Sequence, residues 1–133
     1  MADFDRTVID AVGREREVQL TTHGRKTGRP SQRILWAVAD GGRIYVRSGG
    51  GLGRDWPRNL LARGEGIFLV AGMDVAVRAQ HVTDPTRARH ISSLYQAKYQ
   101  SGAQRSRDDE PLTPGEGATF ELTPAGAGDG AAA

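Results

Sequence analysis

The sequence has no cysteine, which excludes disulfides, thiolate catalysis, iron–sulfur clusters and cysteine zinc sites. Histidine is scarce too: His23, His81 and His90 show no paired spacing, so no metal centre is expected. Only Lys26 and Lys98 are lysines, so sixteen of the eighteen basic residues are arginine. No apolar run approaches the roughly 20 residues of a membrane span. The opening MADFDRTVID carries acids where a signal peptide has a basic region. A cytoplasmic protein with no stable membrane insertion is therefore expected. A nucleophile elbow and paired carboxylates are also missing, so no catalytic residue is assigned.

What is present fits one domain. The 133 residues are 38% hydrophobic and 26% charged, ordinary for a globular chain and too apolar for a disordered one. The net charge of +2 hides a clustering of cations. Arg25, Lys26, Arg29 and Arg33 fall within nine residues, and Arg43, Arg47, Arg54, Arg58 and Arg63 follow, whereas the acids lie mostly in residues 3–17 and 108–121. Arginine suits planar anions such as phosphate and carboxylate, although a compositional bias of the genome also raises its count. Nucleic acid is not an expected partner, because the acids nearly balance the arginines and no recognition-helix pattern occurs.

Along the chain, Phe4, Val8, Ile9 and Val12 predict a short entry helix ended by Gly13. Residues 17–22 alternate as a strand, and residues 34–39 form an almost continuous apolar strand. Asp40-Gly41-Gly42 then predicts a hairpin into a returning strand over 43–48. Asp55 is the expected N-cap of a short helix closed by Gly64. Residues 66–71 and 74–80 read as a strand pair, and Asp84-Pro85 opens a longer helix. Residues 101–117 read as a polar surface loop, residues 118–122 as a last strand, and the tail from Ala125 as disordered. Six strands without regular β-helix-β alternation predict an α+β fold, a small antiparallel barrel with peripheral helices over residues 1–124.

Two stretches stand out as anion sites. In Gly24-Arg25-Lys26-Thr27-Gly28-Arg29 the glycines permit close backbone approach, the cations supply charge and Thr27 a hydroxyl. Its spacing is not that of a Walker loop, and the alternative is a solvated basic hairpin. In Arg47-Ser48-Gly49-Gly50-Gly51 a glycine-rich loop runs from a strand toward a helix, a geometry that collects free amides; the alternative is a flexible linker. Trp56 and Asn59 share a helix face, where Trp56 is a candidate pocket wall and Asn59 a candidate tether for the glycine loop. Tyr95 and Tyr99 share a face of the longer helix and are candidates for substrate contact, or for core packing. His23 is a candidate base without an acidic partner nearby.

Leu20 to Pro30, with its Gly-Arg-Lys-Thr-Gly turn, resembles the deazaflavin-dependent nitroreductase family of the split β-barrel superfamily. The likeness continues through Asp40-Gly41-Gly42, Ser48 with its glycines and Trp56-Pro57-Arg58-Asn59-Leu60, and covers residues 17–123. Ile34-Leu35-Trp36, Tyr45-Val46-Arg47-Ser48 and Tyr95-Gln96-Ala97-Lys98-Tyr99 also resemble an uncharacterised branch of that superfamily. The resemblance implies a six-stranded split barrel like the pyridoxamine phosphate oxidases, usually homodimeric with a cofactor cleft near the subunit interface. It implies the 5-deazaflavin coenzyme F-420, with FMN or haem as alternative cofactors and a non-catalytic binding module as an alternative function. Arg25, Lys26, Thr27 and Arg29 would then face the coenzyme's anions, and Arg47, Ser48, Gly49 and Gly50 its phosphate or ring region. Trp56 and Asn59 would support that loop. The implied reaction is hydride transfer to a small molecule such as a quinone, nitro compound or activated alkene. Two positions depart from the family pattern: Gly49 stands where a lysine is frequent, and Pro57 where a tyrosine is usual.

Overall fold

Trp36 divides the apolar run of residues 34–39 into two strands that lie at opposite edges of one sheet. The computed structural model describes residues 3–100 and 104–125. Its elements are α1 (Arg6–Arg14), β1 (Val18–His23), β2 (Pro30–Leu35), β3 (Ala37–Asp40), β4 (Arg43–Arg47), α2 (Asp55–Arg63), β5 (Glu65–Val70), β6 (Met73–His81), α3 (Pro85–Tyr99), α4 (Pro114–Gly117) and β7 (Thr119–Pro124). The seven strands pair antiparallel in the order β2-β1-β5-β6-β7-β4-β3. Laid flat, that sheet would span about 29 Å. Leu35 and Ala37, at its two edges, are separated by no more than about 7 Å of chain. The sheet therefore curls almost onto itself, and its edges face each other across a split.

The break at Trp36 supplies the strand beyond the six expected, and burial explains it. Ala37 packs inside the curl, whereas the next residue, Val38, packs outside it under α3. The same two-sided burial makes Ile44, Tyr45 and Val46 of β4 all inaccessible. Inside the curl, Val8, Ala11 and Val12 of α1 meet Leu20, Ile44, Phe68, Phe120 and Leu122. Outside it, Ala88, Ile91, Tyr95 and Tyr99 of α3 cover Val38 and Tyr45. The Tyr45 hydroxyl, in the outer layer, donates to Glu121 Oε1 at 2.8 Å and accepts from Arg87.

The helix ends refine the expectations. Gly13 does not stop α1, which runs to Arg14 because Gly13 lies on the exposed side, where glycine costs only about 1 kcal/mol. Arg54 rather than Asp55 is the N-cap of α2; Asp55 is its first helical residue, and Gly64 closes it with φ 68°. Asp84 caps α3 as expected, accepting from Thr86 N at 3.3 Å. The supposed surface loop before residue 118 is corrected: it contains α4, and both Ser106 and Glu116 in it are buried. Ala125, the first residue of the expected disordered tail, donates its amide to Ala76 O at 2.9 Å; residues 126–133 lie outside the described residues. Among the described residues, no helix is long and apolar enough to cross a membrane.

Candidate functional site

The basic turn between β1 and β2 is held from within. Gly24 N donates to Arg29 O and Gly28 N to Gly24 O, both at 2.8 Å, and Gly28 adopts φ 73°, where a side chain would be strained. Thr27 Oγ1 accepts from Arg29 N at 3.2 Å, and Arg63 Nε donates to Gly24 O at 3.0 Å. Asn59, buried on α2, is the anchor. Its Oδ1 accepts from Arg25 N at 3.2 Å and Arg25 Nη1 at 3.1 Å, while its Nδ2 donates to Thr22 Oγ1 at 3.1 Å. Asn59 therefore ties down the basic turn, not the glycine loop. The reason is geometric: it lies almost one turn beyond Trp56 and points across to β1. Arg25 also lies 3.7 Å from Asp55. Lys26 and Arg29 remain exposed at the rim of a cleft of about 280 Å³.

The second hollow, a groove of about 360 Å³, lies between the β2 edge and the loop after β4. One side is the β2 edge, with Arg33, Ile34 and Leu35; the other is Arg47 through Gly50, with Arg54 and Trp56 of the following turn. Three arginines and no acid are among its described lining residues. Ser48 N donates to Ala118 O and Gly51 N to Ser48 O, both at 3.0 Å. Ser48 is 3% exposed, and its buried hydroxyl has no hydrogen-bond partner. Leaving a buried hydroxyl unpaired costs about 1–3 kcal/mol, which a ligand acceptor in the groove would offset. Gly50 leaves room for Arg54, whose Nε lies 2.5 Å from where a β-carbon would stand. Trp56 packs against Phe120, with ring centroids 6.2 Å apart.

Arg47 is a structural cation. It donates to Thr119 Oγ1 at 3.0 Å, Ser92 Oγ at 2.7 Å and Ala88 O at 3.1 Å, and lies over the Tyr95 ring. Burial lowers its pKa from the usual value, opposed by Tyr95 and Glu116. All ten candidate cofactor residues line one hollow or the other: Arg25, Lys26, Thr27, Arg29 and Asn59 the cleft, and Arg47, Ser48, Gly49, Gly50 and Trp56 the groove. The two hollows adjoin. Strand β2 borders the cleft with Ser31 and the groove with Arg33, about 7 Å farther along.

Tyr95 and Tyr99 are placed elsewhere, in the layer beneath α3. The Tyr95 hydroxyl donates to Trp36 O at 3.0 Å, and burial drives its pKa far up. The Tyr99 hydroxyl accepts from Ala37 N at 3.1 Å and donates to Arg16 O at 2.7 Å; burial raises its pKa too. Its ring stacks on Trp36 at 4.1 Å. His23 lines neither hollow. Arg54, the Ile34 and Leu35 lip, and α4 behind the glycine loop belong to the site without standing out as site motifs in the sequence. For α4 a signal was available, since Thr113-Pro-Gly-Glu116 is a capping box.

Residues 8–122 match DUF2255, a family described as an uncharacterized protein conserved in bacteria. The chain belongs to the DUF2255 family. No curated protein matches it. Solved structures do. A candidate 5-nitroimidazole antibiotic resistance protein of Bacteroides thetaiotaomicron is 11% identical, with a TM-score of 0.68 over 92% of this chain and 81% of that one. A candidate pyridoxamine 5'-phosphate oxidase of Listeria innocua is 12% identical, with a TM-score of 0.65 over 90% and 92%. A structure named F-420 reductase is 20% identical, with a TM-score of 0.61 over 88% and 92%. At these identities the likeness is one of fold, and it makes this DUF2255 member a split β-barrel of the pyridoxamine phosphate oxidase type.

Proposed function

We propose that this chain binds the 5-deazaflavin coenzyme F-420 across the groove and the cleft and acts as an oxidoreductase on a small organic acceptor. The observation that carries the reading is a groove with three arginines and no acid among its described lining residues, whose wall holds the buried, unpaired Ser48 hydroxyl. A reduced deazaflavin held there would supply a hydride to a quinone, nitro compound or activated alkene and be left oxidised, with the balancing proton drawn from solvent. Ser48 donates its hydroxyl proton in a hydrogen bond to a phosphate or ring oxygen, and Arg33 and Arg54 neutralise the anion. Trp56 and the Ile34–Leu35 lip exclude water from the ring. Lys26 and Arg29 hold the distal acidic groups by charge. None of the described groove residues is a carboxylate or histidine, and the part these residues play is positioning. That pattern suits cofactor-borne chemistry better than hydrolysis. The F-420 reductase among the structures of the same fold supports this reading.

We place the acceptor site under a second copy of the chain. Ile34 is 63% and Ile67 39% exposed, and both stand on the outward sheet face beside Gln19 and Thr21 of β1. A homodimer covering that face would close the groove's apolar lip. FMN is the second reading, because Ser48 and the glycine loop suit a single phosphate equally well and one neighbour is a candidate pyridoxamine 5'-phosphate oxidase. The basic turn separates the two, since FMN has no acidic tail to occupy it. The test is parallel titration with oxidised F-420 and with FMN, read by tryptophan fluorescence. Wild-type protein should saturate with the deazaflavin in the roughly micromolar range. Lys26→Ala with Arg29→Ala should weaken that binding about tenfold and leave FMN untouched. Equal loss for both ligands would move the assignment to FMN, and no response to either would remove the cofactor reading.

A further inference from the structure

The glycine loop is moulded on α4. A β-carbon on Gly115 would stand 3.3 Å from Arg47 Cδ and 3.9 Å from both Ser48 O and Gly49 Cα. One on Gly51 would stand 3.5 Å from Pro114 Cβ. The Ser48 amide reaches Ala118 O, and the Ala118 amide in turn reaches Gly115 O at 3.1 Å. The loop that carries the unpaired hydroxyl thus has no independent shape; its shape is that of residues 113–118.

Glu116 holds that turn in place. Its carboxylate is fully buried and takes four donors. Oε1 accepts from Ser106 Oγ at 2.6 Å and Thr113 N at 2.9 Å; Oε2 accepts from Ser106 N at 3.1 Å and Ser92 Oγ at 2.9 Å. Burial alone would raise its pKa, but these bonds overcome it and hold the group at about 2, so it is an anion at any working pH. Ser92 then accepts from Arg47 Nη1, which links the carboxylate to the residue before Ser48. One anion on α4 therefore connects α3, the segment from Ser106 and the strand end that launches the loop.

We propose that Glu116 is the positioning residue of the groove: it fixes α4 as the backing of the glycine loop and, through Ser92, fixes Arg47, so that the Ser48 hydroxyl is presented buried and unpaired. The ligand side of this inference rests on the cofactor reading above; the hold on the loop does not. Electrostatics alone makes the opposite prediction. Removing a negative charge beside a cationic groove would raise anion affinity, whereas losing the support of the loop lowers it.

The test is Glu116→Gln in the full chain, followed by hydrogen exchange without ligand and by titration with FMN and F-420. Exchange of the Ser48 and Gly51 amides should accelerate on the order of tenfold, as expected for losing charge-assisted bonds, while the Gly24 and Gly28 amides of the Asn59-anchored turn keep their protection. Affinity for both ligands should fall about tenfold, at pH 6 as at pH 8. Unchanged loop amides, equal acceleration of all amides, or tighter ligand binding would each overturn the proposal. Ser92→Ala, which cuts the link to Arg47 and removes one of the four donors to Glu116, should accelerate Ser48 exchange by a smaller factor. If Glu116→Gln does not fold, this variant decides, and unchanged Ser48 exchange overturns the proposal. Wild-type protein that binds neither ligand would sink the cofactor reading, while the exchange result still judges the hold of Glu116 on the loop.

Discussion

The basic turn and the glycine loop lie side by side and both are rich in glycine, yet they are built in opposite ways. In the turn Asn59 satisfies Arg25 and Thr22, and Thr27 satisfies the Arg29 amide. What remains for a ligand is charge at the ends of exposed side chains, Lys26 and Arg29. In the loop the charge of Arg47 is spent on Thr119, Ser92 and Ala88, and what remains is one buried hydroxyl. The first region attracts anions over a distance and selects weakly. The second binds at one place and holds its donor at a cost in stability. Completed hydrogen bonding marks a scaffold, and a single incomplete bond in a walled groove marks where a ligand belongs.

The comparison can be broken most forcefully at Asn59. Asn59→Ala should cost about 2–3 kcal/mol in denaturant unfolding, because it leaves Thr22 and the Arg25 amide without partners. Amide exchange should rise in the turn and leave the glycine loop protected; equal loosening of both would show that they are one unit.

Acid should act next, on the other region. The carboxyl of Glu116 is depressed from 4.5 to about 2 in the folded chain. Its stabilisation is complete above the unfolded value and is lost as pH falls from about 4.5 toward 2. Residues 48–51 should therefore loosen in that window before residues 24–29 do, as read by exchange at a series of pH values.

A smaller effect separates binding from stability at Ser48. Ser48→Ala removes an unpaired buried hydroxyl, so the ligand-free protein should gain about 1 kcal/mol and melt a few degrees higher. The same variant should bind the deazaflavin about tenfold more weakly. A loss on both counts would mean that the hydroxyl is paired in solution.

Salt gives the smallest contrast. Raising ionic strength from 0.05 to 0.5 M should weaken wild-type binding by roughly three- to tenfold, and should have a smaller effect in the Lys26→Ala, Arg29→Ala variant, where only Arg33 and Arg54 still face the anion. Equal salt slopes for the two proteins would place the charge-dependent contact elsewhere.

The basic turn, the Asp84 cap and the Gly64 stop were legible in the sequence because each rests on local chemistry, with the residues that make it adjacent in the chain. The overall curl was legible from six strand segments, although the division at Trp36 was not. A continuous apolar run reads the same whether it serves one core or two, and only the curl tells Ala37 from Val38. The polar stretch before residue 118 concealed more. Ser106, Thr113 and Glu116 read as a wet surface, yet they satisfy one another, with Ser106 and Glu116 buried, a mutual arrangement that composition does not record. The role of Asn59 was misplaced for a related reason: sharing a helix face with Trp56 says which way a side chain leaves the helix, not which strand it meets.

The most direct measurement is the crystal structure of the chain grown with oxidised F-420. The account predicts the coenzyme in the groove between β2 and the glycine loop, with one of its oxygens within about 3 Å of Ser48 Oγ and its acidic groups near Lys26 and Arg29. A coenzyme bound elsewhere, or a groove in which Ser48 Oγ still has no partner, would contradict it.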